Sequence, residues 1–487
     1  MRFGVIFFIV SFTSLICGIS MFIPAAFDFY VGNKQSAYRF CLSGGITVLI
    51  SVLGLILTDM KQATLKTKEM FLTTSLIWIF FALFSALPFY LSPYQIPLTD
   101  ALFESVSGLT TTGATVLSGL DYFPHGLLLW RSMTQCLGGI GIVILAITVL
   151  PILHVGGMQF FNTESSAQSE RDLPTVAQSM RAIIYYFFFL SGICAVCLWL
   201  AGMNGFDAVN HAMTTISTGG FSTHDSSIAY FNSPTIEWII TFFMIISGLP
   251  LLLGLIIVMR QWSQITQNIQ IKTFFVFLFW TILLLSFVRW HQAEFAPETL
   301  GHIIRSSAFA IVSVVTTTGF ISDNYQLWGS FAVSFFLFLL VTGSCTGSTS
   351  GGIKMFRLTV IFKTVGIRLR TLIQPYGVFI PRYGSRAISD DVLISVLVFI
   401  GLFLFSASIC TLILSAIGLD LVTSLSAALS SIANVGPGLG NVIGPDKTFA
   451  LLPDSAKWTL IIAMMMGRLE FISIIVLFFP FLWKKNA

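Results

Sequence analysis

Four times along this chain a short apolar segment runs into a polar turn that ends on glycine. The turns are Thr111-Thr112-Gly113-Ala114, Thr218-Gly219-Gly220-Phe221, Thr317-Thr318-Gly319-Phe320 and Asn434-Val435-Gly436-Pro437, and successive third-position glycines stand 107, 99 and 117 residues apart. Such a repeat constrains the fold strongly, because one unit is often incomplete without its neighbours. The chain around the turns is apolar: of 487 residues 55% are hydrophobic and 9% charged, and the mean hydropathy is +0.89. That composition excludes a soluble domain and identifies an integral membrane protein. In lipid a polar turn is tolerated only where its backbone faces water, an ion or other protein. Four turns sharing one axis can supply a ring of carbonyl oxygens to a dehydrated cation.

About 20 apolar residues cross the hydrocarbon layer. Ten segments qualify, at 3–29, 38–58, 70–92, 126–154, 181–203, 235–259, 271–290, 329–357, 391–417 and 456–483. The first is too long for a secretory signal core and reads as a retained helix. Between the third and fourth, fifth and sixth, seventh and eighth, and ninth and tenth spans lies a segment of about a dozen residues, too short to cross, which reads as re-entrant. The expected fold is therefore all-α and polytopic, with four pseudo-symmetric repeats of helix, re-entrant pore helix, turn and helix around a central pore. Two further helices precede the repeats. The expected boundaries are 1–66 for the leading helices, then 67–156, 157–265, 266–385 and 386–487.

Cytoplasmic loops carry an excess of Lys and Arg. Of the 25 such residues, 17 fall on the side of Arg2, Lys66 and Arg368, and seven on the side of Lys34, Arg131 and Lys457; Arg468 stands alone within a span. The bias puts the N-terminus inside and all four turns outside. Asp100 and Asp207 each precede their glycine by thirteen residues and are expected to cap pore helices. Glu298 and Asp420 are the corresponding acids of the other two units.

Glycine reaches positive φ without strain, so neighbouring carbonyls can aim at one axis. The adjoining ligands are neutral: Thr111 and Thr112, Ser217 and Thr218, Thr317 and Thr318, and Asn434. Neutral oxygens let a monovalent cation bind and leave, whereas a carboxylate ring would hold it or favour a divalent ion. Gly113, Gly219, Gly220, Phe221, Gly319, Val435 and Gly436 complete the expected ion-binding set.

Two features interrupt the spans on the inner side. In the eighth, residues 342–353 place Gly343, Gly347, Gly351 and Gly352 among hydroxyls, followed by Lys354. Glycine costs about 1 kcal/mol per helical position relative to alanine, so this stretch is expected to unwind. The expected role is a mobile gate; a passive break that eases packing is the alternative. No comparable polar break occurs in the other spans that follow a turn. In the tenth span Arg468 lies at membrane depth, where a guanidinium faces a partner or an aqueous cavity. It reads as an electrostatic barrier below the turns, with an interhelical ion pair as the alternative. Glu470, two residues on, points to another face of an unbroken helix.

The four units, their turns, the glycine-rich break and Arg468 together resemble the TrkH/TrkG and KtrB branch of the potassium transporter superfamily, and the TrkH type in particular because of the two leading helices. The resemblance spans essentially the whole chain. It implies potassium uptake across a bacterial inner membrane, with filter glycines at Gly113, Gly220, Gly319 and Gly436, and a gate formed by residues 342–353 with Arg468. It also implies a homodimer on a ring of cytosolic nucleotide-binding regulatory subunits of the TrkA type. The fourth turn departs from the pattern in Asn434, Val435 and Pro437.

Other classes have less support. An alternating-access transporter coupled to protons or sodium would show inverted repeats and paired acids within spans. A membrane enzyme would need a nucleophile, base or metal cluster. The six histidines show no metal-ligand spacing, no nucleotide motif is present, and nothing points to a cofactor other than the transported K+ or to nucleic acid. The seven cysteines read as packing residues.

Overall fold

The computed structural model describes residues 2–58, 66–148, 176–254, 267–384, 386–475 and 477. Helix dominates, with one antiparallel hairpin pairing β1 (Arg382–Tyr383) with β2 (Arg386–Ala387). The leading span is kinked into α1 (Phe3–Ser20) and α2 (Phe22–Val31), and α3 (Lys34–Leu57) doubles back along both. Pro24 accounts for the kink, because it has no N–H for the carbonyl of Ser20 and its ring crowds that carbonyl.

Four units follow. The first holds α4 (Thr67–Tyr90), α5 (Leu98–Leu109) and α6 (His125–Thr148), and the second α7 (Val176–Leu200), α8 (Gly205–Ile216) and α9 (Pro234–Ser247). The third holds α10 (Ile269–Gln292), α11 (Pro297–Val315), α12 (Ser330–Leu339) and, after a loop, α13 (Met355–Ile373). The fourth holds α14 (Asp390–Ala416), α15 (Leu421–Ala433), α16 (Asp454–Arg468) and the short α17 (Ile472–Ile475). Each middle helix, α5, α8, α11 and α15, ends at one of the glycine turns. Three of them have 12, 12 and 13 residues, but α11, with 19, exceeds the expected dozen. The packing is cyclic: α6 lies on α8, α9 on α11 and α16 on α5, so the fourth unit closes on the first.

Asn204 caps α8 by accepting from the Asp207 N–H, and Asp420 caps α15 by accepting from Thr423 N–H. Asp100 and Asp207 do not cap. Each is the third residue of its helix, and each carboxylate is turned sideways, Asp100 to Lys457 Nζ at 2.6 Å and Asp207 to Thr223 Oγ1 at 2.7 Å. The side chain of Glu298 lies outside the described residues, as do Lys61, Arg171, Arg260, Lys484 and Lys485 of the inner basic set.

Seven described helical segments are long and apolar enough to cross a membrane. The expected spans 235–259, 329–357 and 456–483 are not among them, because their described parts are shorter. These are the spans after the second, third and fourth turns. The helix of the third unit stops at Leu339 and resumes at Met355, as its glycines require. Contrary to the expectation of a single break, α9 also stops at Ser247 and α16 at Arg468. In α9 the cause is Pro250, whose neighbours hand their backbone groups to the third-unit loop: Cys345 N–H donates to Gly248 O and Leu251 N–H to Gly347 O. In α16 the helix is followed by Leu469 and then by Glu470 and Phe471, which both take positive φ, and Phe471 packs edge-on against Phe399 and Phe403.

Candidate functional site

The four turns share one backbone shape. Thr111, Thr218, Thr317 and Asn434 have φ of 51°, 54°, 56° and 56°, and the glycines two residues later, Gly113, Gly220, Gly319 and Gly436, have 80°, 76°, 79° and 103°. Positive φ is uncommon outside glycine, and its recurrence at three threonines and one asparagine in equivalent positions identifies an imposed geometry.

The turns also meet. A methyl group on Gly113 would overlap the carbonyl oxygen of Gly219, one on Gly220 that of Thr318, one on Gly319 that of Val435, and one on Gly436 that of Thr112. Each glycine therefore abuts the carbonyl that precedes the next unit's glycine, and the sequence of contacts closes on itself. All four glycines line a cavity on one side of this ring, together with His224, Asp225, Asp446 and Lys447. A second cavity on the other side is lined by Asn434, Gly351, Lys354 and Arg468.

The support of the turns alternates. In the first and third, hydroxyls two residues apart pair with each other, Thr110 with Thr112 at 2.7 Å and Thr316 with Thr318 at 2.8 Å. The second and fourth have Ser217/Gly219 and Ala433/Val435 at these places. Asn434 braces the fourth turn by donating to Thr112 Oγ1 at 2.9 Å and to Met464 O at 3.0 Å. Gln135 of α6 braces the second, donating to Gly219 O at 2.7 Å and accepting from Phe221 N–H at 3.1 Å. One helical turn earlier, Arg131 donates to Ser222 O and to Glu104 Oε1, each at 2.7 Å, and Glu104 accepts from Val116 N–H.

The loop between α12 and α13 lies directly against the ring. It is pinned by Gly343 N–H to Ile353 O and Ile353 N–H to Val341 O, and Gly347 and Gly352 have φ of 84° and 66°. Thr218 Oγ1 donates to Thr349 Oγ1 at 3.1 Å, and Gly351 N–H donates to Thr317 Oγ1 at 2.7 Å. A methyl on Gly351 would overlap Ala433 O at the end of α15. Arg468 is buried, and its Nη1 donates to Thr349 O at 2.9 Å. Lys354 bonds Ser350 through both the carbonyl and the hydroxyl. Glu470 pairs with Arg357 at 2.7 Å, so it is not the partner of Arg468.

A membrane-buried ring of backbone carbonyls with a polar loop beneath it is a way to strip water from a cation and to control its passage. The sequence profile of the TrkH family, described as a cation transport protein, matches residues 37–485. The chain belongs to the TrkH family. Its relatives include the Trk system potassium uptake protein TrkI of Halomonas elongata, 39% identical over 97% of this chain and 95% of that protein. Another is the Trk system potassium uptake protein TrkH of Escherichia coli K12, 36% identical over 87% and 88%. The crystal structure of the potassium transporter TrkH from Vibrio parahaemolyticus superposes with a TM-score of 0.91 at 30% identity, over 99% of this chain and all of that one. The TrkH-family chain is thus a multi-pass helical membrane protein of the expected repeat architecture.

Every turn residue singled out from the TrkH-family sequence lies in the ring or its immediate support, and Gly343, Gly347, Gly351, Gly352, Lys354 and Arg468 meet on one side of it. Gln135, Glu104 and Thr349 were missed. Gln135 and Glu104 were detectable as single polar residues in apolar segments, where burial demands a partner. Arg131 and Lys457, counted among the outer loop charges, are buried beside Glu104 and Asp100. Among the described residues no His, Cys, Asp and Glu group could hold a metal ion, and all seven cysteines are free.

Proposed function

We propose that this protein carries potassium inward across a bacterial inner membrane, through a filter formed by the carbonyls of its four glycine turns. The closed order of contacts among the turns carries this reading, because it brings four non-identical bends to one axis. Support comes also from the relatives, which are named potassium uptake proteins. The loop over residues 342–353 and Arg468 form the gate: the loop bonds Thr218 and Thr317 from one side of the ring, and Arg468 holds the loop through Thr349. A fixed cation there opposes potassium in the cavity until the loop and Arg468 move apart. The N-terminus is cytoplasmic, and the active form is a homodimer governed by a nucleotide-binding cytosolic subunit of the TrkA type. The chain itself performs no catalysis.

Purified protein in liposomes, with potassium and sodium gradients imposed separately and together, tests the reading. Potassium flux that exceeds sodium flux, and collapses when alanine replaces the ring glycines, is expected. Equal fluxes, or an unaltered potassium flux in a variant with all four glycines replaced, refute it.

A further inference from the structure

The second turn is the only one of the four with glycine at the place held by Thr112, Thr318 and Val435. That place does not demand glycine. Gly219 has no positive φ, whereas its neighbour Gly220 does, and two threonines adopt the equivalent position elsewhere in the ring. What excludes a side chain is Gln135: the three atoms nearest to a methyl on Gly219 are the Cδ, Oε1 and Nε2 of its amide. The amide fills the volume that a threonine occupies in the first and third turns. It also does more than a hydroxyl, because it donates to the ring carbonyl of Gly219 and accepts from the N–H of Phe221, on either side of Gly220.

α6 can deliver this group because it approaches the turn without side chains in the way. Methyl groups on Gly138 and Gly139 would strike the carbonyl of Leu109 and the Cβ of Ser217, so both glycines are pressed against the ends of the first and second pore helices. Gln135 is completely buried, and both of its amide atoms are bonded to the second turn.

We propose that Gln135 is a specificity-determining positioning residue: the first repeat supplies the side chain that the second turn lacks and thereby sets the position of the Gly219 carbonyl in the ring. A carbonyl held at fixed radius distinguishes potassium from the smaller sodium, and a carbonyl free to move inward accepts either ion. The inference rests on reading the ring as the filter.

The test uses full-length protein in liposomes and reads the ratio of potassium to sodium flux. Gln135→Ala is expected to lower the ratio about tenfold, as the loss of two backbone hydrogen bonds allows. Gln135→Met, which keeps the volume, is expected to do the same and serves if the alanine variant does not assemble. Gly219→Thr alone, which collides with Gln135, is expected to be defective. The double variant Gln135→Ala/Gly219→Thr recreates with Ser217 the hydroxyl pair of the first and third turns and is expected to regain most of the native ratio. A merely structural role for Gln135 would not be repaired by a threonine in another repeat. A native ratio in both single variants at Gln135, or a double variant no better than Gln135→Ala, overturns the proposal. Gly220→Ala, run alongside, separates the two readings: if it abolishes selectivity while Gln135 variants do not, the filter stands and the brace falls. If it too leaves the ratio unchanged, filter and brace fall together.

Discussion

Glu104 and Arg131 form an ion pair with side chains 0% and 2% exposed, 2.7 Å apart, beside the ring. Replacing Arg131 by Met keeps an unbranched chain of similar length but removes the charge. Glu104 then retains Thr115 Oγ1, 3.0 Å from either oxygen, and Val116 N–H at 3.1 Å, and loses its only counter-charge among the described contacts. An uncompensated buried charge of this kind costs about 3–5 kcal/mol. The Ser222 carbonyl loses its donor as well, and Phe221 loses the guanidinium 4.2 Å above its ring centre, worth about 1 kcal/mol. Arg131→Met should therefore lie near the upper end of that range. The double variant Glu104→Gln/Arg131→Met buries no charge and should recover about 2 kcal/mol or more, since buried pairs replaced as pairs are often close to neutral. Thermal unfolding in detergent, followed by loss of monodisperse protein, measures the order native, double variant, single variant. A single variant as stable as the native protein would show that the pair is solvated and that the two turns are not stapled through it. Because Arg131 holds the segment after the second turn and Glu104 the segment after the first, the single variant should also lose potassium flux in the fraction that folds.

Arg468→Ala removes the bond to Thr349 and the fixed charge in the cavity lined by Lys354 and Asn434, so basal potassium flux in liposomes should rise severalfold; a fall in folded yield without such a rise would indicate a structural role instead. Gly351→Ala overlaps the Ala433 carbonyl and should displace the loop, again raising basal flux, and unchanged flux would remove the loop from the gate. His224 gives a pH signature in the cavity lined by the four ring glycines. Both of its ring nitrogens face carboxylates, Nδ1 that of Asp121 and Nε2 that of Asp207 at 3.2 Å, and the ring stacks on Tyr230. Burial opposes the charged ring, but the bonds and charges of the two aspartates outweigh it and raise its pKa above 6.5. A raised value means that its stabilisation is complete below pH 6.5 and is lost as pH climbs through the folded-state pKa. Thermal stability of the native protein should decline above pH 6.5 more steeply than that of His224→Gln; parallel curves would show that the histidine does not titrate with folding.

The parts of this fold that were legible in the sequence are those fixed locally. Segment length separates crossing helices from re-entrant ones, four glycines in eleven residues forbid a continuous helix, and a recurring turn betrays a recurring unit. What was illegible depends on partners a hundred residues away. The break after Ser247 carries no run of hydroxyls like the other; Pro250 ends α9 locally, but what receives the freed carbonyl of Gly248 is the N–H of Cys345 in the next repeat. Glu470 leaves the helical path after Arg468 and reaches Arg357, 113 residues earlier. Asp100 and Asp207 look like caps because an acid near a helix start usually is one, yet lateral bonds to Lys457 and Thr223 take both carboxylates. The alternating support of the ring has the same origin. Two turns carry their own hydroxyl pairs and can be recognised individually, whereas Gly219 and Val435 look like degenerate copies until Gln135 and Asn434 are placed beside their targets. Divergence among the repeats has thus moved the bracing of two turns to other side chains while the backbone angles stayed alike. Conservation of shape under that exchange indicates that position of the carbonyls, more than identity of the turn side chains, is what the fold maintains.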